Sequence, residues 1–234
     1  MRERPILFSG PMVRAILAGH KTQTRRVVKP WEPGYPTSVP KALPADFSML
    51  PDGTSFRATC PYGQPGDRLW VREAFRFAAS LDRLPPNDVG EKALDAGYNT
   101  PWAPTQFEAD GHRTGSWRGF DTPPAVTTPG KLRPGIHMPR WVCRLVLEIT
   151  SVRVERLQDI DENDAIAEGI DLDQLDESQE RYDMVADHNM VGRPTAIGAY
   201  RNLWESINGA GAWDANPWVW VVEFRRANTD KKEM

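Results

Sequence analysis

Apolar residues recur at helical spacing near the start of the chain. Four of them fall on one face of a helix: Met12, Val13, Ile16 and Leu17. Ser9 is a suitable N-cap for this helix, because its hydroxyl can accept a hydrogen bond from the first turn. Gly19 suits the C-terminal position, because glycine adopts the left-handed backbone freely. The pattern predicts a helix over 9–19, and a polar, basic loop follows it directly.

Strand-like patterns occur in three later segments. A Pro-Gly-Asp turn precedes Leu69 and Val71 in "PGDRLWV", which is typical of a turn that leads into a strand. The residues over 142–154 alternate and are rich in β-branched side chains, and we expect two strands with a bend near Thr150 and Ser151. A last strand is predicted for "NPWVWVVEF".

Two further helices are predicted in the C-terminal half. The segment "DIDENDAIAEGI" has acidic N-cap candidates, a short Ala-rich helix and Gly169 as its stop. The segment "AIGAYRNLWESINGAG" predicts a helix that buries Leu203, Trp204 and Ile207. The stretch from Glu155 to Asp187 holds thirteen acids against two arginines, so its middle is expected to be a solvated loop or an exposed helix face.

Proline-rich segments with little periodicity interrupt these elements. The length of 234 residues, 40% of them hydrophobic, suffices for one sizeable domain. We therefore expect a single α+β domain over 1–228 with insertions at about 31–60, 80–132 and 171–195, followed by a disordered tail at 229–234. Composition and pattern alone indicate a small mixed β-barrel or sheet with flanking helices.

The formal net charge of −3 argues against a protein that coats nucleic acid or anionic membrane by bulk charge. Any anion binding must be local, and the segment "GHKTQTRRVVKP" offers five basic side chains and no carboxylate. No apolar run is long enough to span a bilayer, so no membrane partner and a cytoplasmic location are expected. The cysteines and histidines lack zinc-ligand spacing, so neither a metal site nor a cofactor is predicted.

Several segments resemble one known family. "AGHKTQTRR" is similar to the G-x-K-x-x-x-x-R signature of the ASCH domain, a relative of the PUA RNA-binding fold, and "PGDRLWV" and "WVWVVEF" look like strands of that family. The blocks "IHMPRW", "LQDIDENDAIAEGI" and "LWESINGAGAWDANPWVW" more closely resemble a phage and prophage branch of ASCH-domain proteins. The three predicted insertions lie outside the short family pattern.

This resemblance implies a PUA-like, partly open β-barrel with a cleft between barrel and helices. It also implies a ligand that is RNA or a modified nucleobase, with DNA as an alternative. Arg25 and Arg26 would suit such a basic cleft, because guanidinium groups contact phosphate bidentately and stack on bases. The alternative is that these arginines cover barrel aliphatics or pair with acids of the 155–187 stretch.

A sharper implication concerns catalysis. Some bacterial ASCH proteins are amidohydrolases that remove the acetyl group from N4-acetylcytidine, and their G-x-K-T-x-T motif is similar to Gly19 to Thr24 here. Lys21, crowded by neighbouring arginines, would then have a lowered pKa and act as the base, Thr24 would attack the acyl carbon, and Glu168 in "AIAEG" would protonate the leaving amine.

Each of these three residues also has a structural interpretation. Lys21 can interact with the carbonyl groups at a helix C-terminus, Thr24 can be an ordinary strand residue, and Glu168 can be a solvated side chain in the last turn of a helix. A non-enzymatic phage accessory or protein-interaction module, with a partner that the sequence does not specify, is therefore the competing class of function.

Further candidates for a nucleic-acid or nucleoside site follow from the same resemblance. Trp70 and Trp141 are candidate stacking platforms, although tryptophans on alternating strands more often belong to a core. Glu73 can accept hydrogen bonds from a base edge, with Arg72 as its alternative ion-pair partner. His137 and Arg140 in "IHMPRW" precede a predicted strand and are expected to face the same cleft.

Overall fold

A computed structural model of the chain describes residues 1–28, 42–44, 60–118, 125–185 and 192–227. The helices of these residues are α1 (Gly10–Ala18), α2 (Pro86–Asp95), α3 (Glu162–Ala167), α4 (Leu172–Val185) and α5 (Ala196–Asn208). The strands are β1 (Glu3–Leu7), β2 (Gln23–Val27), β3 (Ala42–Pro44), β4 (Arg68–Arg72), β5 (Phe75–Phe77), β6 (Thr105–Phe107), β7 (Arg113–Thr114), β8 (Val146–Arg156) and β9 (Trp218–Arg226). The chain is therefore α+β, as the sequence predicts.

The described strands do not close into a barrel. The chain divides into two compact units, each built from segments that are distant in sequence. The first unit comprises Met1–Arg2, Ala15–Asp67 and Glu148–Arg225, and the second comprises Glu3–Arg14, Arg68–Leu147 and Arg226–Met234. The finer expectation, a partly open barrel of the PUA-like kind, stays a prediction.

A sheet with helices on one face forms the first unit. Strand β2 runs antiparallel to β9, β9 neighbours β8, and β3 pairs with β8 in antiparallel fashion. One buried cluster joins this sheet to α3 and α5: Leu157, Ile160, Ala165, Ile170, Ala196, Tyr200, Trp204, Trp213, Val219 and Val221. The inward residues of β9 thus pack against two helices, which fixes the end of α3 over the sheet.

The second unit contains the parallel pair β1 and β4 and the antiparallel sheet β5–β6–β7. Its own apolar cluster consists of Phe75, Phe77, Ala78, Leu81, Val89, Ala103, Phe107, Met138 and Val142. Four of these residues come from 80–132, which the sequence analysis treats as an insertion outside the core. The sequence pattern does not indicate that this segment belongs to the core, because its prolines interrupt the hydrophobic periodicity from which helices and strands are predicted.

Several elements match their sequence prediction and others do not. Helix α1 ends before Gly19, whose φ is 85°, and Gly169 follows α3 with a φ of 92°. The predicted pair of strands with a bend near Thr150 is instead the single strand β8, because backbone pairing continues through these polar positions. Residues of the expected basic loop form β2, because its backbone pairs with β9.

Other expectations concern the exposure of side chains and segments outside the described residues. Ile207 is 53% exposed rather than buried, because the buried face of α5 is set by Ala196, Tyr200 and Trp204, and Ile207 belongs to the last turn. The acidic stretch does form an exposed helix face, on α4. The tail at 229–234 and most of the segment 31–60 lie outside the described residues.

Candidate functional site

The position of Lys21 is set by the short connection between α1 and β2. The amide of Lys21 donates to the carbonyl of Ala15 at 3.1 Å, which continues the end of α1 beyond Gly19. The next amide, of Thr22, donates to the carbonyl of Ala167 at 2.9 Å. These two bonds tie the connection to the ends of both α1 and α3, and so place the Lys21 side chain beside the last turn of α3.

Lys21 and Glu168 form an enclosed ion pair. The Lys21 ammonium donates to Glu168 Oε2 at 2.9 Å, to the Glu168 carbonyl at 2.7 Å and to the Gln23 carbonyl at 2.8 Å. These contacts engage all three donors that an ammonium group offers. The side chain of Lys21 is 0% exposed and that of Glu168 is 3% exposed, so the pair is removed from solvent.

Arg25 adds a second buried cation to the same cluster. Its Nη2 lies 2.6 Å from Glu155 Oε1 and 2.7 Å from Asp164 Oδ2, and its Nη1 lies 3.3 Å from Glu168 Oε1. The Nε atom is buried and has no partner among the described residues. Arg25 thus pairs with acids of the 155–187 stretch, which is the alternative that the sequence leaves open for it.

Arg153 extends the cluster toward solvent. It contacts Glu155 at 3.0 Å, Asp164 at 3.3 Å and also Glu223. Gln23 Nε2 donates to the carbonyl and the side chain of Asp164 at 2.8 and 3.1 Å. The described cluster therefore brings together three cations, Lys21, Arg25 and Arg153, and four carboxylates, Glu155, Asp164, Glu168 and Glu223. The charges of Lys21 and Arg25 are thus neutralised within the protein.

Burial and neighbouring charges shift the titration of this cluster. Burial holds the pKa of Lys21 below its usual value, the charge and hydrogen bond of Glu168 raise it in part, and Arg26 and Arg25 lower it further. A lowered pKa was expected from the two arginines, but burial is the larger cause. Burial also acts to raise the pKa of Asp164, yet the charge and hydrogen bond of Arg25 outweigh it and hold this pKa below the ordinary value.

Tyr200 on α5 belongs to the apolar wall of this cluster. The residue is 3% exposed, and its ring lies 6.2 Å from that of Trp204 and 6.3 Å from that of Trp213. Burial, followed by the charge of Glu168, raises the pKa of Tyr200 well above 10.0. The hydroxyl therefore stays protonated.

Thr24 and Arg26 lie on the other face of β2. In the antiparallel register, Arg25 is opposite Val221 and Thr24 is opposite Val222. Side chains of a strand alternate between its two faces, so Thr24 and Arg26 point away from the face on which Arg25 meets α3. Thr24 is 2% exposed. The structure thus brings Lys21 and Glu168 together, whereas Thr24 is not hydrogen-bonded to either.

The remaining predicted site residues belong to the second unit. Arg72 lies over the ring of Trp70 at 5.5 Å, and its Nε donates to the carbonyl of Gly135 at 3.0 Å. Glu73 is buried and accepts two bonds from Arg144, at 2.8 and 2.9 Å, rather than pairing with Arg72. The Arg144 guanidinium also pairs with Asp110 at 2.8 Å. The Glu73 carboxylate is thus held by Arg144, a residue that none of the quoted motifs includes.

His137 and Arg140 are exposed, and Trp141 is partly buried. Arg140 forms a bidentate pair with Glu3 at 2.8 and 2.9 Å. Trp141 stacks on Phe77 with parallel rings 5.5 Å apart, and so packs on the core of the second unit. This is the core position that the sequence offers as its alternative to a stacking platform.

The sequence gives little sign of the other members of the cluster in the first unit. Asp164 is one acid among many in its segment, and Glu155 and Arg153 follow ordinary strand alternation. Only burial distinguishes them from solvated charges.

Among the described residues, no group of three or more His, Cys, Asp or Glu side chains is arranged to hold a metal ion. In the same part of the chain, no helix is long and apolar enough to cross a membrane.

Comparison with known proteins gives no relative of this chain. No protein-family model matches it, and searches of curated proteins and of solved structures found no significant match.

Proposed function

We propose that the first unit binds a nucleoside with an acylated exocyclic amine, such as N4-acetylcytidine, and hydrolyses its amide bond at Lys21 and Glu168. The observation that carries this proposal is the enclosed Lys21–Glu168 pair with its 2.9 Å contact. The two segments with the sharpest resemblance, "GHKTQT" and "AIAEG", are far apart in sequence and meet at this contact. A perturbed, buried acid–base pair is also a common property of catalytic sites.

Each side chain has a defined task in the proposed reaction. An oxygen nucleophile attacks the acyl carbon and passes its proton to Lys21, whose burial favours the neutral amine. The carbon–nitrogen bond then breaks, and Glu168, which first receives a proton from Lys21 across their 2.9 Å contact and so leaves Lys21 neutral, delivers that proton to the departing amine. Acetate and the unmodified cytosine nucleoside are the products, and a water molecule is consumed overall.

The nucleophile has two candidates. The resemblance assigns this role to Thr24, which would form an acyl-enzyme that water then hydrolyses. The β2 register places Thr24 on the face away from Arg25 and Gln23, which favours a water molecule that is activated directly by Lys21. Thr24→Val keeps the shape of the side chain and removes the hydroxyl, so it discriminates between the two routes.

Arg25 is a positioning residue in this proposal. Its guanidinium contacts Glu168 Oε1 at 3.3 Å while Lys21 contacts Oε2, so the carboxylate is held from both sides. The other two carboxylates on Arg25, from Glu155 and Asp164, keep the guanidinium in place. The enclosed pair must become accessible when substrate binds, and the end of α3 at Gly169 is the segment that would have to move.

The experiment is release of acetate from N4-acetylcytidine, and separately from its deoxy form, by the purified protein. Lys21→Met and Glu168→Gln should each lower turnover about a hundredfold or more, because acid–base groups contribute this much. Lys131→Met, at an exposed lysine, is the matched control and should retain full turnover. No acetate release by the wild-type protein, or full activity of Lys21→Met, would overturn the proposal.

Binding is tested independently of turnover. Titration with RNA, DNA and free nucleosides over a salt series separates a polynucleotide site, which weakens as salt rises, from a nucleoside pocket, which hardly responds. Trp70→Ala and His137→Ala examine whether the candidates in the second unit contribute. If none of these ligands binds, nucleic-acid recognition is abandoned as well.

A protein-interaction module is the second candidate, and the exposed acids of α4 favour it. Five acidic side chains of this helix face solvent: Asp173, Asp176, Glu177, Glu180 and Asp183. An exposed face of one charge suits a basic protein partner, which associates faster through electrostatic steering. A stoichiometric protein partner that survives nuclease treatment and Lys21→Ala, together with no acetate release, would establish this class instead.

A further inference from the structure

The two units of this chain differ in net charge. The segments of the second unit carry 16 basic and 11 acidic side chains, a balance of +5. Those of the first unit carry 13 basic and 21 acidic side chains, a balance of −8, and the two sets together account for the net charge of −3. A polyanion is therefore attracted to the second unit and repelled by the first.

The antiparallel sheet β5–β6–β7 of the second unit has one buried face and one polar face. The phenylalanines of β5 and β6 are buried. On the polar face, Arg76 is opposite Gln106 in register, and Gln106 is opposite Arg113 on β7. Side chains of a strand alternate between its two faces, so these three lie side by side and away from the phenylalanines. A row of planar polar side chains thus crosses the three strands.

Arg113 is exposed, yet its guanidinium is held in place. It lies over the ring of Trp117, with Cζ 4.8 Å from the ring centroid, and its Nε donates to Gln106 Oε1 at 2.9 Å. The nearby carboxylate of Glu108 is engaged by Arg76, whose Nε and Nη2 donate to it at 2.8 and 3.3 Å. The bond to Gln106 uses Nε and leaves the Nη edge of Arg113 for a ligand. Because this side chain is already oriented, little conformational entropy is lost on binding.

Two further aromatic rings adjoin this arginine. Trp102 lies against Gly115, where an added Cβ would come within 2.2 Å of Trp102 Cζ2, and Gly115 is two residues from both Arg113 and Trp117. Tyr98 stacks on Trp102 with ring centroids 5.2 Å apart and is 48% exposed. Aromatic rings beside arginine on a basic surface are typical of sites on which successive bases of a single strand stack. An acidic protein partner would need the charge but not the rings.

We propose that the surface around Arg113 and Trp117 binds a single strand of nucleic acid. One base stacks on the outer face of the Arg113 guanidinium, which then lies between this base and Trp117, and the Nη groups donate to the adjacent phosphate. Tyr98 offers a ring to a neighbouring base. The site belongs to the segment 80–132, outside the short family pattern, and does not depend on the proposed amide hydrolysis in the first unit.

Fluorescence anisotropy of the full chain with labelled oligouridylate of about 12 nucleotides, and separately with its deoxy form, tests the site at low salt. Arg113→Met should weaken binding about tenfold or more, because it removes both a stacking surface and a phosphate contact. Arg113→Lys keeps the charge and should restore only part of this loss, since an ammonium group does not stack on a base. Arg83→Met, at an exposed arginine of the same unit, is the matched control and should change binding by less than about threefold.

Competition separates base stacking from charge alone, because inorganic polyphosphate and polyglutamate carry charge without bases and should displace the oligonucleotides poorly. Tighter binding of the ribose form identifies RNA, and equal binding identifies a site that contacts only bases and phosphates. Arg113→Met should retain the acetate release of the wild type, so the two proposals fail separately. The proposal is overturned if neither oligonucleotide binds, if Arg113→Met binds both like the wild type, or if either competitor, at equal charge, displaces them as well as unlabelled oligonucleotide does.

Discussion

Lys21 Nζ lies 2.9 Å from Glu168 Oε2, although 147 residues separate the two in sequence. The contact is closed on both sides, because Arg25 holds the other oxygen of the same carboxylate at 3.3 Å. An ion pair with no access to solvent is stabilising only when every charge has a partner. The stability and the titration of the first unit should therefore depend on single members of this cluster.

Arg25 should be the member whose loss destabilises the protein most. Arg25→Met leaves three carboxylates without their shared cation, and we expect the free energy of unfolding to fall by about 3–5 kcal/mol. Lys21→Met should have a smaller effect, because Glu168 keeps its contact with Arg25. Urea denaturation measures both. Arg181→Met, which breaks an exposed pair with Glu177, is the control, and an equal loss in all three variants would contradict the assignment.

Acid should weaken the first unit through Asp164. The pKa of this carboxyl is lower in the folded protein than its ordinary value of 3.8. A depressed folded pKa contributes stability that is fully present above the unfolded value and is lost as the pH falls through the folded one. The free energy of unfolding should thus decline below about pH 4, and less steeply in Asp164→Asn. Asp159→Asn, at an exposed aspartate, should retain the wild-type slope.

Gly169 should tolerate no side chain. Its φ is +92°, and an added Cβ would lie 3.0 Å from Lys21 Cβ and 3.1 Å from Ala15 Cβ. Gly209 has a similar φ of +98° but nothing within 4 Å, so Gly209→Ala isolates the backbone strain, about 1–2 kcal/mol. Gly169→Ala should exceed this by about 1 kcal/mol or more through overpacking. Thermal or urea unfolding measures the difference in the free energy of unfolding between the two variants. Equal losses would show that the Lys21 side chain can move away from the added methyl group.

Tyr200 should stabilise the first unit through its ring rather than through its hydroxyl. Tyr200→Phe keeps the buried ring and removes only a neutral hydroxyl, so it should leave the free energy of unfolding within about 1 kcal/mol of the wild type. Trp204→Ala, in the same cluster, should lower it by about 3–5 kcal/mol because it leaves a cavity. Urea denaturation compares the two variants. A large loss in Tyr200→Phe would mean that the hydroxyl has a partner in the folded protein.

Local patterns in the sequence predicted three of the five described helices, α1, α3 and α5, and three of the nine described strands, β4, β8 and β9. The N-cap at Asp161 and the stop at Gly169 define α3, and the run of β-branched and aromatic residues in "WVWVVEF" defines β9. Such signals are short-range, since capping and runs of strand-forming residues involve neighbours within a few positions. Strand β8 was predicted as two strands with a bend near Thr150 and Ser151, but its backbone continues as one strand through these two polar positions.

The sequence by itself determined the α+β class and the segments that carry the unusual chemistry, because secondary structure and motif spacing are local properties. Only the tertiary structure decided what these residues contact. It joined Lys21 to Glu168, surrounded Arg25 with acids, and put Thr24 on the far side of β2. Burial and ion pairing depend on segments that are distant in the chain. The local sequence around a charged residue therefore does not show whether its side chain is solvated or buried.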